Sequence, residues 1–599
     1  MDHAQTIQWM ESIAVIAKNH PSQCALISGT VSISYEELET RSNQLAAWIQ
    51  ASGIVSEKFI GIGLPRCPEL IIALLGILKS GAAYVPLDPS YPETRISQMI
   101  ASADLKTVLT TPILATRFPN LRVIDVSKNF SNSIDAIGQI NAQKPIYAIF
   151  TSGSTGQPKA ASVFHSGFEN LLAWYCSELS LGPEDRTLVI SSPSFDLTQK
   201  NLFAPLRSGG TLVLDDCLTY DITRILSIVR EHRITLINCT PSAFYPLVDA
   251  SSGDDFKALA SLRFAILGGE PISIPRLRTW LEHPNCRAEV VNSYGPTECT
   301  DICLFHRLHR GNLDDFPFVP LGREIPNVEV TIRDSNLAPL PDGEIGELCI
   351  GGVGLGGGYL YDPSRTAERF VNGSYRTGDL AKRLTCGTFE FRGRADYQVK
   401  VNGFRVELGE IEIALNSHDD VCEAVVTASS DKLTAHIQGT ASTAELRSHL
   451  ASRLPVYMIP SEFVSVEKFP LTPNGKIDRN ALSAVPETIS SLARPGTHSD
   501  LETTILQLWS KVLGSHVTDA SANFFDLGGN SIHLAIIHVR LREIVGREFP
   551  ITDLFANPTA QTIASHLSPN QTASAANTTQ DRARLVKNSF ARFQRPLNR

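Results

Sequence analysis

Phe150-Thr-Ser-Gly-Ser-Thr-Gly-Gln-Pro-Lys-Ala160 follows the apolar, β-rich run Lys144-Pro-Ile-Tyr-Ala-Ile-Phe150, and its reading decides that of the whole chain. A strand that runs into glycines and hydroxyls leaves backbone N–H groups free to converge on an anion. Thr151, Ser152, Ser154 and Thr155 supply hydroxyl donors, Gly153 and Gly156 allow close approach, and Lys159 adds a mobile positive charge for a β- or γ-phosphate. The loop therefore suits a polyphosphate. Its spacing is not GxxxxGK[ST], which excludes the ordinary P-loop. A flexible surface loop rich in Ser and Gly is the plain alternative for these residues taken alone.

Length and composition bound the rest. A chain of 599 residues exceeds one hydrophobic core and corresponds to about four compact units. Apolar content of 43% and charged content of 19% describe an ordinary globular protein. A net charge of −9 argues against nucleic acid as partner, because phosphate binding needs a basic surface. The 11 cysteines are scattered, odd in number and without CxxC pairs, the pattern of reduced thiols in a cytoplasmic enzyme; Cys299 and Cys303 read as core. No basic stretch followed by an apolar one opens the sequence, so no signal peptide is expected. The longest apolar run, Leu70 to Leu78, is too short to span a bilayer, and no membrane partner is expected.

Along the chain, residues 11 to 50 read as helix, short strand and helix, with Ser34 as an N-cap before the periodic Leu38, Leu45, Trp48 and Ile49. Phe59 to Leu64 reads as a buried strand and Pro68 to Leu78 as an apolar helix, and prolines set a turn before Arg95 opens another helix. Strands alternating with helices from 30 to about 330 predict α/β layers with largely parallel sheets. Gly352-Val-Gly-Leu-Gly-Gly357 fits GxGxxG, but Gly358-Tyr-Leu-Tyr-Asp-Pro363 offers no helix at the third glycine, so a dinucleotide site is rejected. Asp196, in Ser192-Pro-Ser-Phe-Asp-Leu-Thr198, reads equally as a helix cap. Residues 485–500 are polar and contain Pro and Ser, as a linker does. Leu501 to Leu513 is an amphipathic helix, and Asn523-Phe-Phe-Asp-Leu-Gly-Gly-Asn-Ser-Ile-His533 opens another at Ser531. GxSxG fails there because His533 replaces the second glycine, which disfavours a hydrolase elbow.

Taken together, the phosphate loop, Leu78 to Arg95, Val291-Asn-Ser-Tyr-Gly-Pro-Thr-Glu298, Tyr375-Arg-Thr-Gly-Asp379, Gly393 to Glu412 and Pro473-Asn-Gly-Lys-Ile-Asp-Arg479 stand in one recognisable order. Through them the chain resembles the adenylation domains of nonribosomal peptide synthetases, within the adenylate-forming enzymes, from about residue 20 to about 567. The resemblance implies a large α/β adenylation core of layered subdomains over 11–395, a small mobile α+β subdomain over 396–484, and an all-α four-helix carrier domain over 501–568. A basic tail over 569–599, in which Asp581 to Arg599 hold six basic residues against one acidic, reads as flexible or as a docking helix.

The resemblance also implies roles. Thr151, Ser152, Gly153, Ser154, Thr155, Gly156 and Lys159 would hold the phosphates of ATP, Tyr294 would stack on adenine beside Asn292, Asp379 would bind the ribose hydroxyls with Arg394 nearby, and Glu298 would hold Mg2+. Lys476, with Thr155 and Glu298, would be catalytic, Lys476 bridging the substrate carboxylate and the α-phosphate. Asp396 would be the hinge, and Ser531 would carry 4′-phosphopantetheine. Four positions depart from the family pattern, Ala160, Gly357, Asn402 and Lys200.

The expected function is activation of an amino acid as its aminoacyl-AMP and transfer to the carrier thiol, with a phosphopantetheinyl transferase and a condensation, reductase or tailoring enzyme as partners in trans. A ligase for aryl or fatty acids is the alternative, which Asp196, expected on the substrate ammonium, speaks against. Asp196, Leu197, Lys200, Asn238, Ile266, Gly268, Ser293, Asp301 and Ile302 are expected to line the substrate pocket. Its polar members predict a polar side chain, since unpaired buried groups cost roughly 1–3 kcal/mol each. Lys200 favours a carboxylate or amide, unless Asp301 neutralises Lys200 or accepts from a basic substrate.

Overall fold

The computed structural model describes residues 8–567 apart from 131–140, 154–156, 218, 396–397, 402, 430–431, 471–478, 480–481, 483–498, 514–516, 526, 528, 530, 548, 552 and 555–556. The chain divides into two compact units, Met1–Val485 and Pro486–Arg599. The expected basic tail lies outside the described residues.

In the first unit, a nine-stranded sheet runs in the order Arg323–Glu324, Leu304–Leu308, Glu289–Tyr294, Phe264–Gly268, Leu236–Cys239, Arg186–Val189, Thr211–Leu214, Cys24–Ser28 and Val31–Ser34. The six strands from Glu289–Tyr294 to Cys24–Ser28 are parallel and antiparallel strands flank them. A six-stranded sheet is ordered Arg122–Asp125, Thr107–Thr110, Phe59–Ile62, Ala83–Pro86, Pro145–Thr151 and Lys159–Phe164, parallel except for the last pair. The inner parallel strands Phe59–Ile62, Ala83–Pro86 and Thr107–Thr110 are buried on both faces, which is why they read as largely apolar runs, while the edge strand Arg122–Asp125 is partly exposed.

The helix Pro68–Ser80 supplies much of that cover. It is apolar all round and every residue but Glu69 is buried, as befits a central helix. Pro68 stands in its first turn, where the missing N–H costs nothing, and Gly81 ends it in a left-handed conformation at φ 92°. Lys79 at its end is buried too, with Glu39 at 2.7 Å, Ser42 at 2.8 Å and Asn43 at 2.7 Å as acceptors. Ser34 caps Tyr35–Ala51 by accepting from the Glu37 N–H at 3.2 Å, as its sequence position predicts.

An antiparallel sheet follows, built on Val328–Arg333, Gly346–Gly352, Ser374–Arg383 and Phe370–Val371, with Phe389–Arg394 beside Ser374–Arg383. Beyond it come a hairpin of Gln398–Val401 and Phe404–Glu407, the helix Leu408–Asn416, and a sheet of Val421–Ser429, Lys432–Gly439 and Glu462–Ser465 around a separate apolar core. The expected hinge residue Asp396 lies outside the described residues.

In the second unit, three helices, Asp500–Leu513, Ser531–Val545 and Ala560–Leu567, are described and pack around Trp509, Phe524, Leu534, Ile537 and Ile563. The layered α/β first unit and the helical second unit match the expected fold class, with three helices of the second unit among the described residues. Among the described residues no helix is long and apolar enough to cross a membrane.

Trp509 is fully buried, with its ring 5.0 Å from that of Phe524. Trp509→Ala is expected to destabilise the second unit by about 3–5 kcal/mol. Native-state hydrogen exchange of the helix Ser531–Val545 in the full chain measures this, and protection lost by under about 1 kcal/mol would contradict the packing described.

Candidate active site

The phosphate loop joins the last two strands of the six-stranded sheet, with Thr151 directly opposite Lys159. Ser154, Thr155 and Gly156 lie outside the described residues. Of the remainder, Ser152 donates through Oγ to the Arg405 carbonyl at 2.8 Å, and the Gly153 N–H donates to Glu410 Oε2 at 3.0 Å. Lys159 lies with its Nζ 5.0 Å from the Tyr359 ring centre and 3.9 Å from Glu407. Burial, reinforced by Arg405, lowers its ammonium to about 8 against the opposing pull of Glu298 and Glu407.

Glu298 faces this lysine from the short turn Thr297–Cys299 and is completely buried. Its Oε1 accepts from the Tyr359 hydroxyl at 2.6 Å and its Oε2 from the Arg405 guanidinium at 2.9 Å. Burial pushes the carboxyl up, but Arg405, Lys159 and the Tyr359 hydroxyl outweigh it and hold the group at about 2. A buried carboxylate kept ionised against a cation is the donor that a hard divalent ion requires, so Glu298 fits Mg2+.

The glycine run that mimics a dinucleotide fingerprint braces this turn. Gly356 donates its N–H to the Glu298 carbonyl at 2.9 Å, and a Cβ there would lie 2.4 Å from the Ser162 carbonyl oxygen. Gly354 accepts through its carbonyl from Thr300 Oγ1 at 2.7 Å. No helix opens at Gly357.

Tyr294 closes the strand Glu289–Tyr294, and its hydroxyl donates to Asp379 Oδ2. Arg394, directly across the sheet from Asp379, donates to Oδ1. Asn292 donates to the Pro320 carbonyl at 2.8 Å. Lys400 of the hairpin sits 5.7 Å from the Tyr294 ring centre, and burial lowers its ammonium. Tyr294, Asp379 and Arg394 are thus connected by hydrogen bonds, with Asn292 two residues before Tyr294 on the same strand.

Asp196 is the first residue of the helix Asp196–Arg207, after Phe195 at the cap position. Its Oδ1 accepts from the Leu197 N–H at 2.7 Å and its Oδ2 from Thr297 Oγ1 at 2.5 Å, so the residue beside Glu298 orients it. Asn238, Ile266 and Gly268 lie on adjacent parallel strands at or near their carboxyl ends, with Ser293 paired to Gly268. Crevices beyond the carboxyl ends of parallel strands are where such sheets bind ligands.

Lys200 corrects the expectation drawn from its charge. It is 0% exposed, and its ammonium donates to Asp301 Oδ2 at 2.6 Å, to the Leu197 carbonyl at 3.0 Å and to Asn238 Oδ1 at 3.4 Å. Three donors therefore meet three acceptors, leaving none for a substrate carboxylate. Asn238 donates to the Ile266 carbonyl at 2.9 Å and Ser293 to the Leu267 carbonyl at 3.2 Å, so their burial costs nothing that a polar substrate must recover. No described residue donates to Asp301 Oδ1. Burial lifts the Asp301 carboxyl to about 6, Asp196 adding to the rise and Lys200 opposing it. Thr300 at φ 62° and Asp301 at φ 68° are both left-handed, a costly conformation for a β-branched threonine that delivers this carboxylate between Lys200 and Asp196. Ile302 is buried beyond it.

Lys476 lies outside the described residues, as does the side chain of Ser531, whose backbone begins the helix Ser531–Val545. Such a helix N-terminus suits a phosphodiester. Sequence reasoning missed Arg95, Tyr359, Arg405 and Glu410, although Arg405 and Glu410 lie inside a quoted motif. Cys299 and Cys303 are buried, all eleven cysteines are free, and the described residues hold no metal-type cluster.

Three family models match: AMP-binding enzyme over residues 13–360, AMP-binding enzyme C-terminal domain over 410–476, and phosphopantetheine attachment site over 503–567. The chain is 35% identical over 598 residues to the dimodular nonribosomal peptide synthase of Bacillus subtilis, covering 95% of this chain and 25% of that protein. It is also 35% identical over 573 residues to tyrocidine synthase 1 of Brevibacillus parabrevis, covering 92% of this chain and 51% of that one. The chain thus spans from a quarter to about half the length of these curated relatives. Among solved structures, a holo nonribosomal peptide synthetase protein with adenylation and PCP domains, bound to a vinylsulfonamide inhibitor, superposes with a TM-score of 0.80 at 28% identity, over 94% of this chain and 96% of that one. With its sheets, its ionised Glu298 beside a phosphate loop and its helical second unit, the chain belongs to the AMP-binding enzymes, in the adenylation and carrier arrangement of the nonribosomal peptide synthetases.

Proposed function

We propose that the protein activates an amino acid as its aminoacyl-AMP and loads it as a thioester onto its own carrier domain, in the cytoplasm. The observation that carries this reading is the turn from Thr297 to Asp301, which holds an ionised carboxylate beside the phosphate loop and, through Thr297, orients a second carboxylate, Asp196, at the mouth of the pocket. One turn thus serves both the nucleotide and the amino acid.

The substrate carboxylate attacks the α-phosphorus of ATP in line, forming the acyl–phosphate anhydride as the bond to pyrophosphate breaks. Thr151 to Gly156 and Lys159 position the phosphates, and Glu298 is the residue that would hold Mg2+. Bound there, Mg2+ supplies positive charge against the triphosphate. Tyr294 offers its ring to adenine, and Asp379, fixed by Arg394 and Tyr294, accepts from the ribose hydroxyls. Asp196 takes the ammonium, which disfavours the aryl or fatty acid alternative. Lys476 offsets charge that develops during attack. Residues 11–395 form the adenylation core and 396–484 a small subdomain that moves about Asp396, while 485–500 link it to the carrier, 501–568. On Ser531, phosphopantetheine supplies the accepting thiol, which requires a phosphopantetheinyl transferase. A condensation, reductase or tailoring enzyme takes the product onward.

Ser531→Ala is expected to leave ATP–pyrophosphate exchange intact while abolishing thioester loading, read by intact-protein mass spectrometry after transferase treatment. An arm attached at another residue would overturn the assignment. Lys476→Ala is expected to lower adenylate formation roughly 10²- to 10³-fold, the usual effect of losing one preorganised donor, while transfer from preformed adenylate falls far less. Equal losses in both half-reactions would contradict a swinging lysine.

For substrate choice, Asp301 rather than Lys200 is the reading group, with Lys200 as its counter-ion. Its free Oδ1 asks for a donor, and the paired Lys200 leaves the subsite neutral, so the side chain is uncharged and carries an N–H or O–H. An exchange assay across all amino acids should favour such side chains over leucine, valine, phenylalanine and glutamate by roughly tenfold or more, since an unpaired buried acceptor costs about 1–3 kcal/mol. Activity with the preferred amino acid should fall as pH drops through about 6, where Asp301 gains a proton between Lys200 and Asp196. Strongest exchange with glutamate or leucine would refute this reading of the pocket.

A further inference from the structure

The helix Trp9–Asn19 has no cap of its own, because the Gln8 side chain at the cap position accepts from none of its N–H groups. A carboxylate 160 positions from Trp9 serves instead. Glu169, on the helix His165–Glu178, accepts through Oε2 from the Gln8 N–H at 3.0 Å and from the Trp9 N–H at 3.1 Å. Its Oε1 accepts from Arg207 at 2.6 Å, in the last turn of the helix that begins with Asp196. One carboxylate thus holds the start of one helix and the end of another. With side chains only 16% and 13% exposed, Arg207 and Glu169 are shielded from water, unlike a surface pair.

Packing joins the same two helices. Trp9 is fully buried, its ring 4.8 Å from that of Phe203 and 6.1 Å from that of Phe168, the residue before Glu169. Asp196, Lys200 and Phe203 follow one another at spacings of four and three, so they share one stripe of their helix. The stripe that Trp9 supports at one end therefore carries the Asp196 and Lys200 of the substrate pocket at the other. We propose that Glu169 is a positioning residue for the amino acid subsite, clamping the helix Trp9–Asn19 to Arg207 so that Asp196 and Lys200 keep their place. The proposal rests on the reading of Asp196 given under the proposed function. A hydrogen-bonded helix carries a displacement along its length, and a shift of about 1 Å at a binding group is costly. Tyr294 and Asp379 stand on other elements, so the clamp bears on the amino acid and not on ATP.

ATP–pyrophosphate exchange by full-length wild type, Glu169→Gln, Arg207→Gln and Arg207→Lys proteins tests this, using the amino acid with which the wild type exchanges fastest. KM for that amino acid should rise about tenfold in Glu169→Gln and Arg207→Gln, with KM for ATP within about twofold of wild type. Arg207→Lys keeps a donor of similar reach and should stay within about twofold for both. A clamp that served stability alone would lower kcat or raise both KM values together, and that result, or equal impairment in Arg207→Lys, would overturn the proposal. Coupling between two places is reciprocal, so the same amino acid at saturation should slow amide hydrogen exchange across Trp9–Asn19 in the wild type. Unchanged exchange there would overturn the proposal even if no variant folds. Absence of pyrophosphate exchange with every amino acid in the wild type would instead remove the functional reading on which the proposal rests.

Discussion

Glu298 is a carboxylate with no exposure to water, and the site is arranged around keeping it ionised. Burying such a group unpaired costs several kcal/mol, and a buried pair is retained only where geometry and extra hydrogen bonds repay desolvation. Arg405 and the Tyr359 hydroxyl meet that condition here, each taking one oxygen. Because Arg405 comes from the hairpin after residue 395, the carboxylate ties the small C-terminal part of the first unit to the core. Removing either partner leaves a buried charge, so the pair sets position more than it adds stability.

The same constraint shapes the backbone around it. Five residues, Thr297 to Asp301, carry the ionised Glu298, the hydroxyl that orients Asp196 and the carboxylate that pairs Lys200. Thr300 and Asp301 take left-handed conformations in this turn, and the glycine run bonds to the Thr300 hydroxyl and the Glu298 carbonyl. The antiparallel sheet then brings Asp379 and Arg394 to the Tyr294 hydroxyl, which fixes the orientation of that ring. The strands and helices of the core therefore surround a site to which the hairpin Gln398–Glu407 brings Arg405.

Elements with local causes were legible beforehand. The Ser34 cap, the apolar helix from Pro68, the strand leading to Thr151 and the helix opened at Ser531 all follow from residues within a turn of one another. Cations were misread where the partner is remote. Arg95 looked like a helix opener and Lys200 like a substrate ligand; each is buried against an acid distant in sequence, Asp301 lying 101 positions from Lys200 and Glu410 lying 315 positions from Arg95. Periodicity and propensity carry no term for such pairs.

By itself, the sequence determined the order of parts, an α/β region before a helical one, because patterns within a strand, a loop or one helix turn set each element, while its resemblance to a family supplied the residues expected to meet phosphate, cation, ribose and arm. Only the tertiary structure decided which of those groups are free. Lys200 proved to be Asp301's counter-ion, the glycine run a brace, and Arg405 and Glu410 the partners of Glu298 and of the Gly153 N–H. Pairing between charges depends on how the chain folds back on itself, and in a buried site the partner, not the residue type, sets what each charge is left to do.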